Sequence, residues 1–275
     1  MTERPPGLPA QPDWSVAADP QRRVGHAIEA HAEIGSTNDR ARELLREPSG
    51  EGVAVVAELQ TAGRGRRGRA WESPPGVNLM ASVGLRPALD SRAASWLGMA
   101  AALAVRDACA TFAPRSRLAI RWPNDIVTDD GLKVAGVLVE TAIEDGQTTD
   151  VVIGMGINVN WRRAVMPPEI SARATSLADL TGVDLNRVAL LSTLFDRLEG
   201  EIGALEAGRS PVDRFRQVSV LDGRAVEVAV GDERIAGTAA GIADDGSLLL
   251  DAPAGRIALT AGEVVSVRDV AEVPA

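Results

Sequence analysis

The sequence predicts an α+β fold: a mixed, mainly antiparallel sheet with helices laid against it, followed by a small all-β domain. Three observations carry this. Strand-like runs at Ile126-Val127, Lys133–Glu140 and Val151–Asn158 follow one another through turns rich in Asp and Gly, the pattern of antiparallel neighbours rather than of βαβ crossovers. Two long stretches, Ser91–Ala110 and Asn186–Ala207, read as helices. From Arg224 to Arg268 the chain changes to short alternating runs with turn residues between them, which reads as a small β-barrel. The expected organisation is a disordered tail at 1–22, a main domain at 23–219 and a C-terminal domain at 220–271.

Taken in order, residues 1–22 are rich in Pro, Ala and polar residues, as a tail would be. Val24–Ile34 reads as a strand. Gly35-Ser36-Thr37-Asn38-Asp39 then leads into a helical run, with Ser36 or Thr37 as N-cap and Asp39 well placed in the first turn. Capping alone would account for both hydroxyls. The β-branched run Gly52–Leu59 reads as a buried strand, and Asn78–Leu85 as the next one. Ser91 would cap the first long helix. Leu118–Arg121 is a short strand that ends at Trp122-Pro123-Asn124-Asp125, which is either an Asx-turn or an amide and a carboxylate presented at a strand end. Gly154 and Gly156 weaken a strand interior, so either a bulge or the close approach of a ligand is expected there. A short helix at Pro211–Gln217 precedes the barrel.

Between the second and third strands lies Glu58–Trp71, ELQTAGRGRRGRAW, on which a functional reading turns. Arg64, Arg66, Arg67 and Arg69 alternate there with Gly63, Gly65 and Gly68. So many guanidinium groups repel one another unless anions separate them, and Arg is the side chain suited to a bidentate grip on carboxylate or phosphate. The spacing Gly63-x-Gly65-x-x-Gly68 matches a dinucleotide fingerprint, but Pro74-Pro75-Gly76 leave no room for the helix that such a site needs. The stretch therefore reads as an anion-binding loop.

The bulk composition narrows the anion. A 275-residue chain with 45% apolar residues has the material for a real core, and a net charge of −9 argues against general binding to nucleic acid or anionic membrane. The basic loop is thus local, as for a small anion. A single cysteine, Cys109, excludes an intrachain disulfide and a cysteine metal cluster. His26 and His31 are poorly spaced for a shared metal. No apolar run approaches the roughly 18 residues of a membrane span, and the N-terminal stretch lacks a signal-peptide core, so the cytoplasm is the expected compartment. The basic residues are 28 Arg and one Lys, Lys133. A GC-rich genome accounts for the bias, but not for where the lysine remains. A position that needs a point-charge ammonium would resist replacement by Arg.

In order along the chain, Ser36-Thr37-Asn38, Gln60-x-Ala62-Gly63-Arg64-Gly65-Arg66-Arg67-Gly68-Arg69-x-Trp71, Trp122-Pro123-Asn124-Asp125, Lys133-x-Ala135-Gly136 and Gly154-x-Gly156-Ile157-Asn158 resemble the bacterial biotin–protein ligases. The resemblance runs from about residue 25 to Gly262-Glu263 and Arg268. It implies a catalytic domain related to lipoate ligases and class II aminoacyl-tRNA synthetases, an SH3-like C-terminal domain, and ATP-dependent attachment of biotin to a carrier-domain lysine through biotinyl-5′-AMP. It implies that Ser36, Thr37, Asn38, Gln60, Gly63, Arg64, Gly65, Arg66, Lys133 and Gly154 bind biotin. On the ATP side it implies Arg66, Arg69, Trp71, Asn124, Asp125, Lys133 and Asn158. Lys133, Arg66 and Arg69 would be catalytic, and Asp125 would be a ligand to Mg²⁺. The implied partners are the biotin carboxyl carrier protein or domain of acyl-CoA carboxylases and pyruvate carboxylase, with no DNA and no membrane, the chain acting as a monomer or weak homodimer. Some such ligases carry an N-terminal helix-turn-helix and repress transcription. Only 35 residues precede Ser36, so that activity is not expected. A lipoate–protein ligase and a nucleotide- or nucleic-acid-binding module stay open as alternatives. Replacing the lone lysine should be diagnostic: Lys133→Arg is expected to lose ATP–pyrophosphate exchange while retaining the native circular dichroism spectrum and melting temperature, and wild-type exchange would overturn its assignment.

Overall fold

A computed structural model describes residues 11–144 and 147–268, apart from the side chains at 91–92, 143–144 and 147–148. The expected α+β architecture is present. Strands β1 (Ile28–His31), β2 (Ala54–Ala57), β3 (Leu79–Leu85), β4 (Leu118–Arg121), β5 (Asp125–Thr128), β6 (Lys133–Glu144) and β7 (Gln147–Ile157) form one sheet in the order β1-β2-β3-β7-β6-β5-β4. Only β1 and β2 run parallel; every other neighbouring pair is antiparallel. The turn expected at 144–146 falls partly outside the described residues.

Period-two alternation separates the two faces of the sheet. Ala54, Val56, Ala81, Val83, Ile153 and Ile157 enter the main core, which helices α3 (Leu97–Phe112) and α6 (Arg187–Glu206) cover. Val55 and Val152 point the other way, against Ala41, Leu44 and Leu45 of helix α1 (Thr37–Leu44) and the residue after it. The alanines of α3, buried at 100–102, 104 and 108, let that helix lie close to the sheet. Helix α6 buries Leu190, Leu194, Leu198, Ile202 and Leu205 along one stripe, and Asn186 caps it by accepting from the Val188 and Ala189 amides at 3.0 and 3.1 Å. The Cys109 thiol is buried inside α3, and burial pushes its pKa up to about 12.

The first long helix differs from expectation. It is broken into α2 (Ser91–Ser95) and α3, and Asp90 rather than Ser91 takes the N-cap, accepting from the Ala93 amide at 2.7 Å. Two short helices went unread in the sequence, α4 (Pro168–Ser171) and α5 (Leu177–Thr181). Each is too short to carry an amphipathic period.

After α7 (Val212–Val218), strands β8 (Ala225–Val230), β9 (Glu233–Ile242), β10 (Leu248–Ala252), β11 (Gly255–Leu259) and β12 (Glu263–Arg268) form a second, antiparallel sheet in the order β11-β10-β9-β8-β12. Among the described residues no ladder joins β11 to β12, so the hydrogen bonds define a five-stranded sheet rather than a closed barrel. Its β9–β10 turn is tied to the main domain by two indoles. Trp96 Nε1 donates to Asp244 O at 3.0 Å and Trp122 Nε1 donates to Gly246 O at 3.1 Å.

The expectation of a disordered tail at 1–22 does not hold for residues 11–22; residues 1–10 lie outside the described residues. Trp14 begins a turn of 3-10 helix, is 2% exposed, and donates from Nε1 to Glu58 Oε1 at 3.0 Å. Arg187 approaches the other Glu58 oxygen at 2.8 Å and lies 5.2 Å from the centre of the Trp14 ring. A single indole in a polar segment gives no periodic signal, so pattern alone could not place it. Glu58, with no exposed side-chain surface, thus ties the N-terminal segment, α6 and the end of β2 together. Truncating it strands a buried guanidinium. Glu58→Ala is expected to lower stability by about 3–5 kcal/mol in urea denaturation, and a loss below about 1 kcal/mol would overturn this account.

Candidate functional site

The sheet face opposite α3 carries three glycines that share two rungs. Gly136 of β6 is paired with Gly156 of β7, and Gly154 of β7 lies between Leu138 of β6 and Ser82 of β3. The register through these pairs is unbroken, so no bulge forms at Gly154 or Gly156. All three glycines line the cavity described below, and the position that a Cβ would take at each is occupied by a side chain. A Cβ on Gly154 would collide with the Asn38 carboxamide, one on Gly156 would lie 2.5 Å from Trp71 Cε2, and one on Gly136 would lie 2.9 Å from Lys133 Cε and Nζ. Each missing methyl group is the seat of a side chain that the sequence had singled out.

These three side chains wall a cavity of ≈ 370 Å³. It also brings together Ser36, Thr37, Gln60, Arg64, Gly65, Arg66, Arg69, Asn124, Asp125, Gly154 and Asn158. Gly63 is the one predicted site residue that does not line it: Gly63 packs behind, where a Cβ would lie 2.8 Å from Trp71 O. Ser36 occupies the N-cap position of α1 without a capping hydrogen bond from its side chain. Thr37 is not used as a cap either. Its amide donates to Gln60 Oε1 at 2.8 Å, and its hydroxyl has one proton for two acceptors, Gln60 Oε1 at 3.0 Å and Ser82 Oγ at 2.7 Å. Ser82 in turn donates to Asn38 Oδ1 at 2.6 Å, and Asn38 Nδ2 donates to Glu140 at 2.7 Å. This network orients Thr37, Gln60, Ser82 and Asn38 at that end.

Opposite lies the lysine. Lys133 Nζ is 2.6 Å from Asp125 Oδ1 and 5.5 Å from the centre of the Trp71 ring, while Arg121 reaches Asp125 Oδ2 at 2.9 Å. Burial would push the Asp125 carboxyl up, but Lys133 and Arg121 outweigh it and hold the carboxyl below the usual range. Asn158 and Asn124 hold the frame. Asn158 Nδ2 donates to Thr175 O at 3.1 Å and Lys133 O at 3.4 Å, and Asn124 Nδ2 donates to Val137 O.

The arginine loop divides its charges. Arg64 is bidentate on Asp39, at 2.7 and 2.6 Å. Arg69 pairs with Glu263 of β12, and Arg67 donates to Ala229 O and Gly231 O at the end of β8. Arg67 adopts a left-handed backbone (φ 57), a conformation that costs a non-glycine residue about 1–2 kcal/mol and that these contacts hold in place. Among the described residues the Arg66 guanidinium has no hydrogen bond and no salt bridge. It lines the cavity, and burial pushes its guanidinium below its ordinary value: the pull of Asp125 and Glu263 in the other direction is outweighed, with Arg67 and Arg69 adding to the lowering. No helix follows the loop, in keeping with rejection of the dinucleotide fingerprint.

The profile of the Biotin/lipoate A/B protein ligase family matches residues 32–158, and that of the Biotin protein ligase C terminal domain matches residues 223–266. The biotin–[acetyl-CoA-carboxylase] ligase of Mycobacterium tuberculosis is 37% identical over 88% of this chain and 89% of its own length. The chain belongs to the biotin protein ligase family. The ligase of the same name from Paracoccus denitrificans is 35% identical over 85% of this chain and 98% of its own. The solved structure of the biotin protein ligase from Aquifex aeolicus, in complex with biotin and ATP, superposes with a TM-score of 0.72 at 29% identity, covering 88% of this chain and 98% of that one.

Asp125 was the expected ligand to Mg²⁺. Both oxygens of Asp125 are engaged by cations, and among the described residues there is no group of three His, Cys, Asp or Glu side chains able to hold a metal. Ser82 and Arg121 line the cavity and Glu140 braces Asn38, and sequence reasoning missed all three. Ser82 had a signal, a lone hydroxyl within the buried run Leu79–Leu85; the other two had none beyond neighbouring a motif. If the glycine floor is required for packing, Gly154→Ala is expected to lower stability by about 1–3 kcal/mol. Gly200→Ala, on α6 with nothing near its would-be Cβ, should instead gain about 0.4–1 kcal/mol. Paired urea titrations check the contrast, and equal effects would overturn it.

Proposed function

We propose that this cavity activates the carboxylate of biotin with ATP and passes the acyl group to a lysine of a biotin carboxyl carrier domain. Membership of the ligase family supports the overall reaction. The observation that carries the local assignment is Arg66, a half-buried guanidinium that lines the cavity with no hydrogen bond or salt bridge among the described residues.

The chemistry needs such a group. An amine does not displace oxide from a carboxylate at neutral pH, so an oxygen must first become a leaving group. A biotin carboxylate oxygen attacks the α-phosphorus of ATP, pyrophosphate leaves, and a mixed anhydride, biotinyl-5′-AMP, remains. The ε-amine of the carrier lysine then attacks the anhydride carbonyl, loses a proton, and expels AMP. In the first step two anions must meet. Opposite unit charges about 4 Å apart are worth about 4 kcal/mol at an effective dielectric of 20, so Arg66 and Lys133 can offset that repulsion. In this reading the Thr37–Gln60–Ser82–Asn38 network holds the biotin end. Arg66 and Lys133 face the carboxylate and α-phosphate, with Trp71, Asn124 and Asp125 toward the nucleotide. Arg69 serves catalysis only on exchanging Glu263 for phosphate.

The proposed acceptors are the carrier domains of acyl-CoA carboxylases and pyruvate carboxylase, met in the cytoplasm. No described helix is long and apolar enough to cross a membrane. The acidic net charge of −9 supports a ligase without a DNA-binding role. The test is incorporation of labelled biotin, against labelled lipoate, into an isolated carrier domain with ATP. Wild type is expected to transfer biotin only and Lys133→Ala to lose at least about a hundredfold in rate, in line with removing one transition-state charge. Transfer of lipoate, or of neither acid, would overturn the proposal.

A further inference from the structure

Asp39 follows the Ser36-Thr37-Asn38 motif and looks at first like an ordinary first-turn acid, favourable to the dipole of α1. Its contacts are more specific. Both of its oxygens meet the two terminal nitrogens of Arg64, at 2.6 and 2.7 Å, the fork-to-fork arrangement that fixes orientation as well as distance. Arg42, one turn on, donates to Asp39 at 3.0 Å and reaches Glu140 of β6 at 2.8 Å. Glu140 is also the partner of Asn38, which sits on Gly154. A continuous polar chain therefore runs from the sheet, through α1, to the arginine loop. The Asp39 carboxyl is held below its usual range by Arg64 and then Arg42, and the Arg64 guanidinium is raised by Asp39.

Before the loop, the Thr61 and Ala62 amides donate to Ile34 O and Gly35 O at 2.9 and 2.8 Å; from Gly63 onward Arg64 is the near-end side chain with an ion-pair partner. Between Gly63 and Trp71 its internal hydrogen bonds are Gly65 N to Arg69 O at 2.7 Å, Arg69 N to Arg66 O at 3.3 Å and Trp71 N to Gly63 O at 2.9 Å. Its far end is held by Arg67 and Arg69 on the C-terminal sheet. Arg66 lies between the two anchorages. We propose that Asp39 is a positioning residue: by clamping Arg64 it fixes the near end of the loop and so aims Arg66 at the reacting carboxylate. Arg64 then acts through the loop, as an anchor rather than as a ligand for substrate. This deepens the functional proposal above and rests on it for the identity of the anion, but the clamp itself is a property of the free protein.

The side chains of Arg64 and Asp39 are 36% and 47% exposed, so the pair adds little to global stability and its removal leaves the fold intact. Two readouts separate the clamp from the chemistry. In the free protein, hydrogen exchange at the Gly65, Arg69 and Trp71 amides is expected to quicken about tenfold in Asp39→Asn, with the melting temperature unchanged. In biotin-dependent pyrophosphate exchange, the same variant is expected to raise KM for biotin about tenfold while kcat changes less than about twofold, the pattern of lost positioning in the ground state. Asp39→Glu should recover most of the loss, and the reversed pair Asp39→Arg with Arg64→Asp should restore slow exchange at the loop amides. Wild-type exchange and KM in Asp39→Asn would overturn the proposal, as would a reversed pair with no more protection than either single variant. A wild-type protein without biotin-dependent pyrophosphate exchange would defeat the functional reading alone, because the amide exchange rates still decide whether Asp39 holds the loop.

Discussion

A β-strand normally keeps its neighbours at arm's length, because every residue but glycine raises a Cβ above the pleat. On two rungs of the central hairpin those atoms are missing, at Gly136, Gly154 and Gly156, and the polar machinery of the cavity rests on the backbone there. The consequence is a matter of depth. Asn38, Trp71 and Lys133 come from three different segments, yet all three sit at one level because one sheet face supports them. Long-range β pairing, rather than the loops themselves, sets the distances between groups far apart in sequence.

Charge is the second constraint. The cavity collects arginines and a lysine that repel one another. Among the described residues the chain answers with its own carboxylates: Asp39 against Arg64, Glu263 against Arg69, Asp125 between Lys133 and Arg121. The Arg66 guanidinium is the loop group left without a hydrogen-bonded acceptor among the described residues, and Asp125 and Glu263 act on it only through space. Arg66 is left facing the cavity, and the groups that surround it are already oriented, so little reorganisation remains for the moment when a substrate anion arrives. The C-terminal sheet takes part in this arrangement, since Glu263 and the Ala229 and Gly231 carbonyls come from it. It forms a wall of the site.

How far the sequence disclosed all this depends on the kind of signal. The α+β class was legible because antiparallel runs joined by Asp-Gly turns and two long apolar stripes are local and periodic. The cavity was legible because its residues fall in short motifs of unusual composition, and the lone lysine among 28 arginines pointed to its own importance. Single contacts between distant segments were not. Trp14 buries an indole against Glu58 and Arg187 from a segment with no pattern at all. Ser82 and Glu140 join the site only through strand register. Asp125 was read from its motif as a carboxylate beside a phosphate site, whereas its cationic neighbours emerge only in three dimensions. Gly154 and Gly156 were correctly noticed, but pattern could not say that the chain's own side chains fill the space above them.

The burial of Cys109 and the tethering of Lys133 acquire a different meaning beside an acyl-adenylate. Such a mixed anhydride acylates whatever soft or basic nucleophile it meets. This chain has one thiol, sealed inside α3 with its proton held up to about pH 12, and one lysine amine, held against a carboxylate. An electrophile made in this cavity is surrounded by guanidinium groups, which bind anions but do not attack carbonyls. Apart from its terminal amine and its two histidines, the chain thus offers such a product few nucleophiles of its own, which favours transfer to an amine on a second molecule.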